Sequence, residues 1–107
     1  MKQMKDNDPD HRFSFDHIFQ GNSTQEEVYN SVGYEVVESA FEGFNGTVFA
    51  YGQTSSGKTH TCIGPDYVDK EKRGILPRMV GHIYDKIKQG PSYIEFRIKV
   101  SMVEIYM

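Results

Sequence analysis

The sequence predicts an α/β fold, and three observations predict it. Residues 47–51, "TVFAY", form a short unbroken run of β-branched and aromatic side chains. That is the pattern of a strand covered on both faces, as in the middle of a parallel sheet. Ile94, Phe96, Ile98, Val100 and Met102 alternate with Glu95, Arg97, Lys99 and Ser101, which describes a strand with one dry and one wet face. Around these lie segments whose apolar residues recur at helical spacing.

In chain order, residues 1–12 are polar and predict a flexible leader. In residues 13–19, "FSFDHIF", Phe13, Phe15 and Phe19 fall on one face of a strand. A helix is expected from Thr24 to Gly43. Thr24 and Glu27 stand at capping-box spacing, Glu26 and Glu27 suit the positive end of a helix, and Gly43 suits its end. Val28, Val32, Val36 and Ala40 would line its inner face, widened by Val37 and Phe41. After the strand at 47–51 comes "GQTSSGKT", with Lys58 opening a second helix. Residues 64–74 predict a polar loop bounded by turn residues. Its charges are expected to be solvated. A third helix follows, with Ile75 or Leu76, Met79, Ile83 and Ile87 as its apolar stripe and Pro77 in the tolerated first turn. Gly90-Pro91 stops it, and residues 93–107 give the last strand.

The 107 residues fit one domain. A net charge of −3 gives no basic stripe, so neither nucleic acid nor an anionic membrane is an expected partner. Seven Phe and seven Tyr argue against a disordered chain. Cys62 is the single cysteine. It excludes an internal disulfide and fits a reducing compartment. The opening "MKQMKDNDPDHR" is no secretory signal, and no apolar run approaches membrane-spanning length.

Chemistry concentrates at residues 52–59. Gly52, Gln53, Thr54, Ser55, Ser56, Gly57, Lys58 and Thr59 match G-x-x-x-x-G-K-S/T, the nucleotide-binding P-loop. Gly52 and Gly57 allow the backbone unusual dihedrals and a close approach to an anion. Successive N–H groups then form an anion nest, and the helix that follows adds its positive end. Lys58 brings a full charge to the β and γ phosphates, and the Thr59 hydroxyl can hold Mg²⁺. The competing explanation, an ordinary Gly/Ser turn, accounts for the glycines but leaves Lys58 and Thr59 as coincidence. Other candidates are weaker. His60 could face the base or ribose, or act as a surface or capping histidine. His11, His17, His60 and His82 have no metal-ligand spacing. Cys62 fits a small packed residue better than a reactive thiol.

The stretch "NGTVFAYGQTSSGKTHT" resembles the P-loop segment of kinesin motor domains. These carry F-A-Y-G-Q-T-x-x-G-K-S/T-x-T, and residues 49–61 satisfy every position. "FSFDHIFQGNSTQEEVY", "GILPR" and "IKVSMVEIYM" resemble further kinesin segments, so the likeness runs from Phe13 to Met107. Ser55, Ser56 and His60 are most similar to the conventional, cargo-transporting kinesins. Cys62 and Met102 depart from the pattern, where methionine and an aromatic are usual.

The resemblance implies a P-loop NTPase-like α/β motor fold with a central sheet flanked by helices, here partial over residues 13–107. It implies ATP and Mg²⁺ as cofactors, phosphates held by residues 52–59, Mg²⁺ at Thr59 and the nucleoside near His60. It further implies ATP hydrolysis coupled to movement along microtubules, a place on the cytoplasmic microtubule cytoskeleton, and tubulin contacts through segments outside this chain. A dimeric intact protein is compatible with it. The kinesin segments N-x-x-S-S-R and D-x-x-G-x-E, which complete hydrolysis, are not found in these residues. The expectation is therefore a stretch of a larger motor domain, with 47–51 short of strand neighbours. The alternatives are a catalytically silent nucleotide-binding fragment and another P-loop NTPase.

Overall fold

The computed structural model describes residues 13–106; the expected leader, residues 1–12, lies outside them. Four helices form: α1 (Gln25–Val32), α2 (Tyr34–Phe41), α3 (Lys58–Cys62) and α4 (Ile75–Gln89).

The capping box is present in full. The Glu27 backbone N–H donates to the Thr24 hydroxyl at 3.2 Å, and the Thr24 N–H donates to the Glu27 carboxylate at 2.8 Å. The single expected helix is interrupted only at Gly33. Its hydrogen-bond ladder continues through that residue, from Gly33 N–H to the Tyr29 carbonyl and from Val37 N–H to the Gly33 carbonyl. At the far end, Gly43 N–H bonds the Ala40 carbonyl and Phe44 N–H bonds the Ser39 carbonyl. That is a Schellman closure, with Gly43 at φ +97° as the left-handed residue.

The buried stripe is one position away from the expected valine row. Tyr29 and Val37 are buried, whereas Val32 is 38% exposed. The row at 29, 33 and 37 wins because Gly33 removes a side chain where α4 crosses. A Cβ there would stand 2.8 Å from the Tyr29 ring and 3.2 Å from Ile75. Ile75, not Leu76, enters this contact, being 4% exposed against 52%.

The expected sheet does not form: the described residues contain no strand. A strand satisfies its backbone only through a neighbour about 4.8 Å away. Segments 13–19, 47–51 and 93–106 do not pair with one another. Their apolar side chains consequently face solvent, with Phe15 69%, Tyr51 90% and Met102 91% exposed. The strand period persists in part: Val48 and Ala50 are half-buried while Phe49 and Tyr51 are exposed. The last segment is held at its start, where Phe96 packs edge-on against Phe41 at 5.9 Å between ring centroids. The radius of gyration is 18.2 Å, against about 13 Å for a compact chain of about 100 residues. The core is thus a three-helix wedge of α1, α2 and α4, with α3 set against α4.

Candidate functional site

The loop at 52–57 turns back on itself before α3 begins. Ser56 N–H donates to the Gln53 carbonyl at 3.2 Å. Ser55 adopts φ +65° and Gly57 φ +99°, both in the left-handed region that L side chains rarely enter. Gly57 is the N-cap of α3, so Lys58 opens that helix as the sequence predicts. Gly52 is held close to the other side of the loop: a Cβ on it would collide with the Ser56 hydroxyl. A side chain at either glycine would therefore strain or obstruct the turn.

Lys58 is the most constrained side chain of the loop. Its Nζ donates to the carbonyls of Gly52 and Gln53, both at 2.7 Å. The ammonium thus spans the loop's entrance and keeps its charge beside residues 52–57. Thr54, Ser55, Ser56 and Thr59 are exposed. This donor set suits a polyphosphate: short hydroxyl side chains, a turn with left-handed residues at Ser55 and Gly57, one fixed ammonium and the start of a helix. The Thr59 hydroxyl, on the first turn of α3, has the oxygen chemistry that Mg²⁺ takes. Among the described residues no group of three His, Cys, Asp or Glu could hold a metal by itself.

His60 lies on the exposed side of α3 and meets α1. The Gln25 side-chain amide nitrogen donates to the His60 carbonyl at 2.7 Å and lies 3.3 Å from the His60 Nδ1. Cys62 is half-buried, in keeping with a packing role. Behind it, Gly74 N–H donates to the Ile63 carbonyl at 2.7 Å and ties the end of α3 to the start of α4.

A second polar cluster joins the helices of the wedge, and sequence reasoning did not find it. The Glu38 carboxylate accepts from His82 Nε2 at 2.9 Å and from Lys86 Nζ at 2.7 Å. With Nε2–H so engaged, His82 Nδ1 is free to accept the Tyr29 hydroxyl, 2.7 Å away. Tyr34 stacks on the same imidazole, 4.8 Å between centroids. The Lys86 hydrogen bond, and then the His82 contact, holds the Glu38 carboxyl below its ordinary value, while Glu38 pushes Lys86 up. Burial raises the Tyr29 phenol, helped by Tyr34 and Glu38. Arg78, 9% exposed, points the other way. It donates to the carbonyls of Lys70, Glu71 and Arg73, binding the charged loop to α4. One signal was available: Arg78, His82 and Lys86 recur every fourth residue, a polar row on an otherwise apolar face.

No helix among the described residues is long and apolar enough to cross a membrane.

Comparison with known proteins converges on one family. The model of the kinesin motor domain matches residues 1–107. The human kinesin-1 heavy chain is 50% identical over 95 residues, covering 89% of this chain and 10% of the relative. A kinesin heavy chain from Strongylocentrotus purpuratus is 52% identical over 97 residues, covering 87% of this chain and 9% of the relative. One from Syncephalastrum racemosum is 48% identical over 95 residues, covering 89% and 10%. The chain spans about a tenth of the length of the curated relatives it matches.

Proposed function

This chain belongs to the kinesin motor-domain family, and on that premise we propose that residues 52–59 grip the phosphates of ATP in a microtubule-based motor. The observation that carries the proposal is the loop itself: Gly57 at φ +99° capping α3, with the Lys58 ammonium fixed 2.7 Å from the Gly52 and Gln53 carbonyls. Family membership brings the P-loop NTPase fold with it.

Each residue has a role in this reading. Backbone N–H groups of 53–58 cradle the β and γ phosphates. Lys58 leaves one loop carbonyl and neutralises the charge between them. Thr59 contributes its hydroxyl to Mg²⁺, which would supply charge neutralisation across the phosphates. His60, on the same turn, lies toward the nucleoside. Hydrolysis and movement along microtubules belong to the whole motor. Tubulin contacts come from segments outside this chain, and a place on the cytoplasmic microtubule cytoskeleton follows from the same reading, with which a dimeric intact protein is compatible. Neither nucleic acid nor membrane is a partner in it.

A silent nucleotide-binding piece is the second reading, and one observation favours it. The segments that should sandwich the loop in a sheet carry no strand pairing among the described residues. Titration of the chain with Mg·ATPγS, alone and as Lys58→Ala, tests the shared premise. Saturable binding lost in Lys58→Ala supports the grip, and equal binding by both overturns it. Phosphate release accelerated by microtubules then separates motor from silent binder.

A further inference from the structure

Helix α3 has five residues and buries none of them. A helix this short has no cooperative stability of its own, and its most covered side chains, Lys58, Thr61 and Cys62, are only half-buried. Two tethers add to that packing. At its end, Gly74 N–H holds the Ile63 carbonyl. At its first turn, the Gln25 amide holds His60 at two atoms, across 35 residues of sequence.

The chemistry of that second tether is unusually determined. The atom of Gln25 that lies 2.7 Å from the His60 carbonyl must be the NH₂ group, because a carbonyl oxygen there would face another acceptor. The same nitrogen lies 3.3 Å from Nδ1, and an amide NH₂ only donates. Nδ1 is therefore the acceptor, and the neutral ring carries its proton on Nε2. Gln25 itself is fixed because it is the first residue of α1, directly after the capping-box threonine.

We infer that Gln25 is a positioning residue for the phosphate loop: its amide clamps His60 at two atoms, directs α3, and fixes the imidazole as the Nε2–H tautomer. The clamp makes the loop's exit a property of α1 as well as of residues 52–59. It also gives His60 one outward donor, suited to a hydroxyl or carbonyl acceptor on a ligand seated at the loop. The link to a ligand rests on the nucleotide reading above.

The test uses the full chain labelled with ¹⁵N. Imidazole ¹⁵N shifts report the tautomer directly, and Mg·ATPγS titration reports the loop. In the unsubstituted chain His60 is expected as Nε2–H. Gln25→Met keeps length and helix propensity but removes both donors. It should give mixed tautomers and weaken binding roughly tenfold, the worth of two neutral hydrogen bonds. Gln25→Glu loses the bond to the His60 carbonyl, but its carboxylate accepts from Nδ1–H and should shift the neutral ring toward that tautomer. Urea unfolding followed by helix signal should show the wedge intact in both variants. A His60 tautomer that is the same in all three chains overturns the clamp, whatever the affinity. Tautomers that shift while affinity stays constant overturn the positioning role. Tautomers that shift in chains that bind no nucleotide overturn both the nucleotide reading and the positioning role built on it.

Discussion

The helical wedge and the loop at 52–57 satisfy their polar groups in opposite ways. In the wedge, Glu38 is met by Lys86 from 48 residues away, and Tyr29 meets His82 across 53. In the loop, Lys58 bonds carbonyls five and six residues back. The wedge is thus a tertiary object, held by partners brought together only by folding. The turn of the loop is a local object, written in eight consecutive residues and tied to the wedge through the Gln25 contact with His60. The difference teaches that damage to one, away from the Gln25–His60 contact, should leave the other largely as it was, and this can be broken by experiment.

The largest effect is expected at Lys58. Lys58→Ala should weaken Mg·ATPγS binding on the order of 100-fold, the loss of charge-assisted contacts to phosphate. Isothermal titration measures it, and the urea midpoint of the helix signal should not move. Second comes Val37, 1% exposed at the centre of the wedge. Val37→Ala should cost about 2 kcal/mol in urea unfolding, from lost burial and the cavity left behind. Nucleotide affinity measured well below that midpoint should be unchanged. A large affinity loss would mean that the two regions are one cooperative unit.

This contrast also explains what the sequence made legible. The capping box, the helix end at Gly43 and the helix start at Lys58 are local codes, and each is found where it is written. The apolar stripe was displaced by one residue because the choice between the valine row and the row at 29, 33 and 37 is made by α4, not by the helix itself. The Tyr29–His82–Glu38–Lys86 cluster was illegible because no local rule pairs residues so far apart. The strands at 13–19, 47–51 and 93–107 were read from period and composition. Pairing, however, depends on neighbours, and these three segments do not supply them to one another.

The pH response sharpens the comparison next, because its shifted groups lie mainly in the wedge. Glu38 is held below its ordinary 4.5 by Lys86 and His82, so it supports the fold above that value. The support is lost as acid takes the pH down through the lowered value. Tyr29 is raised above its ordinary 10.0, so its support is full below 10.0 and fades as alkali passes the raised value. Urea midpoints across pH should therefore fall at both ends, and Glu38→Gln should flatten the acid side. An unflattened acid limb in Glu38→Gln would place the acid sensitivity elsewhere.

Gly33→Ala is a smaller perturbation. Alanine gains about 1 kcal/mol of helix propensity over glycine, but its Cβ meets the Tyr29 ring at 2.8 Å. That ring is fixed by its bond to His82, so overpacking costing typically 1–3 kcal/mol should win. A net loss of about 1 kcal/mol is expected in the same urea assay, and a gain would show that the Tyr29 ring yields. Smallest is the Glu95–Arg97 pair, 3.7 Å apart with both side chains more than three-quarters exposed. Arg97→Ala should leave both the urea midpoint and the affinity unchanged.

Arg78 has a practical consequence for anyone who wants to alter this chain. Its guanidinium spans the carbonyls of Lys70, Glu71 and Arg73, so that turn behaves mechanically as an extension of α4. Upstream, Tyr67 and Val68 are 69% and 75% exposed and lie outside the clasp. A foreign peptide spliced between Tyr67 and Val68 would cost only the local turn in which the Asp66 carboxylate accepts the Val68 and Asp69 N–H groups. The same graft between Glu71 and Arg73 would pull the knot itself.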